Sequence, residues 1–274
     1  MKHVVSFSTG LSSALTVERV LSRYGKENSL IVFMDTLIED EDNYRFMAEA
    51  KKRWGVEIVT LTEGRTPFEV SKDAQIIPNQ KIAPCTFRLK IDIFTKFVQD
   101  IEGDVTIHIG YDYSELHRIE TTRKNYEERG WAVDFPLLWK PYEMRPYEQV
   151  VREDWGIEPP RMYSLGYTHA NCGGVCVKQG QGDWRRTLVN FPARYAEIEA
   201  WEEKMRNHPI RKKYALLRDQ SGGKVRALTL AKFRNRNEEK ESLSLFELDY
   251  QSPCVHCGVG DLAATPEQLK GFGL

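Results

Sequence analysis

Long apolar runs are missing from this 274-residue chain. No stretch approaches the roughly 18 residues of a membrane span, and Met1-Lys2-His3-Val4-Val5 runs into an expected strand rather than a signal peptide, so no membrane partner and a cytoplasmic location are expected. Excess charge is missing too. Lysine and arginine total 39 against 40 acidic residues, so no whole-chain field draws the protein onto nucleic acid or an anionic surface, and any such contact needs a local patch. Cysteine is scarce and odd in number, at five, which argues against a disulfide framework and for metal binding or thiol chemistry. The common nucleotide motifs are absent as well. No Walker lysine precedes a serine or threonine, and no G-x-G-x-x-G turn occurs.

What is present is the balance of a folded globular protein, with 41% hydrophobic and 29% charged residues and no repeat or low-complexity tract. Strand and helix patterns alternate through the first half. Strands are expected at Val4 to Ser8, Leu30 to Met34, Glu57 to Leu61 and Val105 to Ile109. Helices are expected at Ser12 to Leu21, Asp42 to Trp54 (closed by Gly55), Arg88 to Ile101 and Glu115 to Arg129. Thr66-Pro67-Phe68-Glu69 has the form of a capping box opening a further short helix. Such alternation implies an α/β fold, a doubly wound, mostly parallel sheet with ligands at the carboxyl ends of its strands, where Ser8, Asp35 and Gly110 fall. Beyond Pro136, prolines interrupt the pattern. We place a boundary near residue 140, between an α/β domain at 1–140 and a smaller C-terminal α+β region at 141–274. That region is expected to hold a helix from Arg194 to Arg206 and a hairpin pairing Tyr214 to Arg218 with Lys224 to Leu230 about Ser221-Gly222-Gly223.

A glycine turn between a buried strand and a helix aims backbone N–H groups and the positive helix end at one point, so Ser6 to Ser13 is a candidate phosphate cradle. Ser8-Thr9-Gly10-Leu11-Ser12-Ser13 resembles the S-G-G-x-D-S signature of the PP-loop (N-type ATP pyrophosphatase) family, with Thr9 replacing a glycine and Ser12 the aspartate. Val32-Phe33-Met34-Asp35-Thr36 is similar to the second-strand segment of phosphoadenosine-phosphosulfate (PAPS) reductases and related enzymes, where backbone groups near the aspartate hold adenine. Pro84-Cys85-Thr86-Phe87-Arg88-Leu89-Lys90 resembles their cysteine and basic residues after the third strand. Gly110 to Arg118 is similar to their G-x-R-x-x-E-S-x-x-R stretch, with Tyr111 and Asp112 where arginine is expected and Arg118 in place.

The resemblance implies an adenine nucleotide alpha hydrolase-like fold. It implies a nucleotide held by Ser6, Phe7, Ser8, Thr9, Gly10, Leu11, Ser12, Ser13, Met34, Asp35, Gly110 and Tyr111, with Cys85, Arg88, Lys90 and Arg118 as catalytic candidates. The ligand is then ATP, or PAPS or adenosine phosphosulfate, with Mg²⁺. Guanidinium and ammonium groups suit phosphate or sulfate oxygens.

Asn171-Cys172-Gly173-Gly174-Val175-Cys176 and Pro253-Cys254-Val255-His256-Cys257-Gly258 form two cysteine pairs with metal-ligand spacing. Cys172, Cys176, Cys254 and Cys257 together make one four-thiolate site for Zn²⁺ or a [4Fe-4S] cluster; the alternatives are unrelated thiols or a site using Cys85 or His256. Tyr167 to Lys178 also resembles the N-C-G-G-x-C region of reductase-like proteins carried by phages and mobile elements.

Three functions stay open: adenylation of an acceptor with pyrophosphate release, serving sulfur transfer or modification of a nucleic acid or small molecule; sulfonucleotide reduction; and nucleotide binding without turnover. Reduction needs an accessible activated thiol at or near the C-terminus; Phe272-Gly273-Leu274 carries none, and Cys254 or Cys257 could serve only by ceasing to be metal ligands. Basic stretches at Arg206 to Lys213 and Lys232 to Arg236, with Tyr214 and Phe233 beside them, are candidate polynucleotide contacts set against a plain solvated surface. A homodimer is a further partner expectation.

Overall fold

The computed structural model describes residues 1–238. β1 (Lys2–Phe7) feeds α1 (Leu11–Tyr24), β2 (Ser29–Asp35) feeds α2 (Glu41–Trp54), and β3 (Ile58–Thr62) feeds α3 (Pro67–Asp73). A helical segment follows, made of α4 (Pro84–Thr86), a π-helical stretch Phe87–Asp92 and α5 (Ile93–Gln99). β4 (Val105–His108), α6 (Leu116–Glu127) and β5 (Ala132–Asp134) complete a five-stranded sheet of order β3-β2-β1-β4-β5, parallel throughout. The fold is thus α/β, a parallel sheet flanked by helices.

Both faces of the sheet are covered, and the strand side chains say why. Val5, Phe7 and Ile31 pack with Ala14, Val17, Phe46 and Trp54 of α1 and α2. Val4, Val32 and Met34 point the other way, onto Phe94, Val98 and Tyr126 of α5 and α6. Strands buried on both faces carry continuous apolar runs rather than alternation, as the first two do. The order reverses between β1 and β4, so the carboxyl ends of these neighbours open a crevice at the switch point.

Local signals hold where chemistry enforces them. Gly55 takes the left-handed conformation (φ 59°) that ends α2, and Thr66 and Glu69 exchange both bonds of the capping box. The helix expected over 88–101 contains the π-helical stretch, where Leu89, Lys90 and Ile91 are all buried; three consecutive inward residues do not fit one face of a regular α-helix. β5 is an addition, since three residues are too few for a strand pattern to register.

In the second half, α7 (Tyr147–Glu153), α8 (Arg161–Ser164), α9 (Gln181–Asn190) and α10 (Pro192–Arg206) precede the hairpin of β6 (Leu217–Asp219) and β7 (Arg226–Leu228), and α11 (Leu230–Glu238) follows. The hairpin is shorter than expected because the buried Glu202 carboxylate accepts the amides of Leu216 and Leu230, each at 2.7 Å, drawing both ends out of the ladder. Phe68, Val70 and Leu89 share a hydrophobic cluster with Trp184, Tyr195 and Leu216, so apolar groups on either side of residue 140 pack together. Among the described residues no helix is long and apolar enough to cross a membrane.

Buried on the α1 side of the sheet, His108 Nε2 lies 2.9 Å from His3 Nδ1, and His3 stacks on Tyr24 with ring centroids 3.6 Å apart. Burial pushes the His108 imidazole down to about 4, with Asp134 opposing and His3 and Arg23 assisting, and burial lowers His3 as well. Both shifts carry the same sign: the unfolded chain takes up the protons first. Stability is therefore complete above about pH 6.5 and falls as pH drops toward 4, by up to about 3 kcal/mol for His108. Urea unfolding at stepped pH should show this slope, and His108→Gln should flatten it.

Candidate functional site

The crevice at the β1/β4 switch point is lined from β1 and its loop by Ser6, Phe7, Ser8 and Gly10, and from α1 by Ser12 and Ser13. Phe33 and Met34 at the end of β2 supply an apolar wall, and Ile109, Gly110 and Tyr111 close the β4 side. Lys90 is the only lysine or arginine among the described residues lining it. The structure thus gathers ten of the sequence-nominated positions around one cleft: Ser6, Phe7, Ser8, Gly10, Ser12, Ser13, Met34, Lys90, Gly110 and Tyr111.

The loop is held by its own side chains. The Ser13 hydroxyl accepts the Ser8 amide at 3.1 Å and donates to the Gly10 carbonyl at 2.8 Å. Thr9, fully buried, adopts φ 60° and donates its hydroxyl to the Ser8 carbonyl at 2.6 Å. A β-branched residue in the left-handed region costs about 1–2 kcal/mol, so the loop stores strain where the PP-loop signature has glycine. Gly110 packs closely on the loop: a Cβ there would sit 2.9 Å from the Thr16 hydroxyl and 3.0 Å from the Ser12 carbonyl oxygen, so a side chain would have to push them apart. That close approach keeps β4 against the loop. Thr9 and Leu11 belong to the loop's frame and do not line the cleft.

The remaining nominated residues lie elsewhere. Asp35 turns from the cleft to accept the Leu37 amide at 2.8 Å and the Tyr44 hydroxyl at 2.9 Å. Arg88 lies over the Phe87 ring, 5.7 Å from its centroid. Arg118 is buried in an ion pair with Glu115 and stacks over Tyr111 at 4.1 Å, and it is not itself among the residues lining the cleft. Tyr111, in the place of the expected arginine, is what Arg118 packs against. Of the nucleic-acid candidates, Phe233 is core, Arg234 pairs with Glu199 and Arg236 with Asp219, whereas Tyr214 is exposed beside Lys213.

No known protein family matches the chain. It is similar to the uncharacterized protein MJ0066 of Methanocaldococcus jannaschii, at 24% identity over 210 residues, which is 75% of this chain and 42% of that protein. The chain therefore spans less than half the length of that relative.

Sequence reasoning missed the residues that close the cleft from outside the strand ends: Glu39, Glu115, Tyr163, His169 and Asn171. The last three come from the second half, and no spacing pattern links them to the loop. Glu39, in the β2–α2 connection, is tied by three donors: the Thr36 hydroxyl at 2.9 Å, the Cys172 amide at 2.6 Å and the Asn43 amide group at 3.3 Å. Burial raises its carboxyl above the usual range, with Lys90 and the Cys172 bond pulling the other way.

Cys172 and Cys176 are buried and hydrogen-bonded to each other. That bond, then burial, then Glu39 push the Cys172 thiol well up, so it rests protonated. Cys172, Gly173 and Gly174 all have positive φ (59°, 54° and 78°). A Cβ on Gly173 would lie 2.7 Å from the Ile38 carbonyl oxygen, so only glycine lets the turn approach the β2 end. Cys85 joins Cys172 and Cys176 in lining a second, small cavity, and Lys90 lines both it and the main cleft. Cys254 and Cys257 lie outside the described residues. Among the described residues no group of three or more His, Cys, Asp or Glu is arranged to hold a metal ion.

The cysteine turn is anchored by the neighbour of Glu39. Asp40, fully buried, accepts Arg161 at 2.7 and 2.9 Å and Arg194 at 2.8 Å, while Arg194 also reaches the Gly173 carbonyl at 2.9 Å. Burial alone raises the Asp40 carboxyl, but the two guanidinium bonds outweigh it and hold it low. Asp40→Asn keeps the N-cap of α2 and loses the charge pairing. It should lower unfolding stability by about 1–3 kcal/mol, discounted from a fully buried pair because both arginines are partly exposed. Asp40→Ala should cost about 1 kcal/mol more through the lost cap. Denaturant titration of the two variants measures both.

Proposed function

We propose that this chain binds an adenine nucleotide in the β1/β4 crevice and is a PP-loop, PAPS reductase-like protein with the adenine nucleotide alpha hydrolase-like arrangement, acting as an ATP pyrophosphatase that adenylates an acceptor. The observation that carries the reading is the glycine turn at the tip of β1, which opens α1 into a cleft flanked by Lys90. The first-turn amides of α1 beyond Leu11, whose N–H bonds Tyr163, would meet the phosphates with the positive end of the helix dipole, and Lys90 adds a charge. Phe7, Phe33 and Met34 give the adenine an apolar wall. In the reaction an oxygen of the acceptor attacks the α-phosphorus, the bond to the bridging oxygen breaks, and pyrophosphate leaves with the negative charge that the loop and Lys90 stabilise. Mg²⁺ enters only as a counter-ion travelling with the phosphates: Glu39 accepts protein donors on both oxygens, and Asp35 lies outside the cleft with its Oδ1 taken by Leu37 and Tyr44.

Binding without turnover is the second reading. It is favoured by the Arg118–Glu115 pair, which withdraws from the cleft a cation that the family resemblance assigns to catalysis. Sulfonucleotide reduction would draw its activated thiol from Cys254 or Cys257, outside the described residues, at the expense of the metal site proposed below.

Calorimetry with ATP, followed by assays of pyrophosphate and AMP release over a panel of small-molecule and nucleic-acid acceptors, tests the assignment. ATP should bind saturably, and Lys90→Ala should weaken it about tenfold or more. Lack of any ATP retention overturns the reading; retention without product on any acceptor selects the second one, and sulfite from PAPS selects the reductase.

The cysteine site is proposed alongside: Cys172 and Cys176 with Cys254 and Cys257, holding Zn²⁺ or a [4Fe-4S] cluster. Two thiols cannot close a tetrahedral site, but a bound metal ion would reverse their protonation. Anaerobically purified protein should contain one zinc, or iron with labile sulfide and absorbance near about 400 nm, and Cys172→Ser should lose it. Protein free of both metals removes the proposal.

A further inference from the structure

Tyr163, at the start of the second half's contribution to the cleft, sits directly over the phosphate loop. Its hydroxyl oxygen accepts the Leu11 amide, the first of α1, at 3.1 Å. The Ala170 amide, from the segment leading into the cysteine turn, bears on the same oxygen. A Cβ on Gly10 would come within 3.3 Å of it, so the glycine leaves room for the phenol.

A tyrosine hydroxyl has two lone pairs and one proton. The Leu11 N–H takes one lone pair and the Ala170 N–H, from the opposite half of the chain, bears on the same oxygen, which leaves the proton as the part of the hydroxyl still to be used. No acceptor takes that proton among the described residues, and the open side of the hydroxyl is the cleft it shares with Ser8, Gly10 and Ser12. The Leu11 amide, which an anion at a helix start would ordinarily meet, is already spent on the phenol. The phenol replaces that donor with its own, carried further into the cleft.

Resting on the nucleotide reading above, we propose that Tyr163 is a fixed hydrogen-bond donor to the phosphate group seated at the loop, and that it sets the preference for phosphorylated over unphosphorylated adenine ligands. The phenol is held by the Leu11 amide before the ligand arrives, so little side-chain ordering is charged to binding. A neutral donor also adds no charge to a cleft in which Lys90 already lies beside Glu39.

Calorimetry of the full-length wild type and Tyr163→Phe with ATP, AMP and adenosine tests this, with thermal unfolding as a control for the fold. ATP and AMP should each weaken about tenfold or more, the loss of one hydrogen bond to a charged partner, while adenosine binds as before. A strut that merely held the loop would weaken all three ligands alike. Equal losses, or no loss, overturn the inference. Wild-type protein that binds none of the three overturns the nucleotide reading and this inference together, whereas intact ATP binding by Tyr163→Phe overturns this inference alone. Placing 3-fluorotyrosine at 163 keeps the packing and makes the hydroxyl a stronger donor. ATP should then bind more tightly with adenosine unchanged, and an unchanged ratio also counts against the proposal.

Discussion

Two adjacent carboxylates just beyond β2 hold the molecule's two halves in register. Asp40 is fully buried and draws Arg161 and Arg194 onto itself, and Glu39 beside it accepts the Cys172 amide. Neither would be stable in a half-dry setting alone, because an unpaired carboxylate away from water is costly. Beside local donors, each takes partners more than a hundred residues downstream (Cys172 for Glu39, Arg161 and Arg194 for Asp40), so the pairing selects one arrangement of the chain. Cysteine turn, Tyr163 and the glycine loop after β1 are neighbours because of it.

The same junction places unlike chemistries side by side. Apolar side chains from the end of β2 face one wall of the cleft, and the loop amides and Lys90 face another. Behind Lys90 lies a small cavity lined by three cysteines, packed with Ile38 and Pro67. Glu39 touches both systems, bonding the cysteine turn while feeling the Lys90 charge. A change of charge in the cleft therefore acts on the bond that seats the turn. Strain sits at the same place: Thr9 and Cys172 both occupy left-handed backbone conformations, one on either side of the junction.

Much of the first half was legible in the residues themselves. The runs at Val4 and Leu30, the left-handed stop at Gly55 and the Thr66–Glu69 box are local effects, and local effects are what periodicity and capping rules read. Positions at strand ends followed from topology once the sheet was taken as parallel. Legibility failed where the decisive partner was distant. Arg118 reads as an anion-binding arginine until Glu115 and Tyr111 are seen around it, and Phe233 reads as a surface aromatic until Trp184 and Leu216 enclose it.

By itself the sequence determined an alternating α/β chain, a glycine turn at the tip of the first strand and the close Cys172/Cys176 pair, because each depends on neighbours within a few residues. Only the tertiary structure decided that Tyr163, His169 and Asn171 complete the cleft, that Cys85 joins the 172–176 turn, and that Arg118 faces inward to a carboxylate. Those outcomes rest on buried charge finding its partner across the fold, a long-range condition that no window of residues contains.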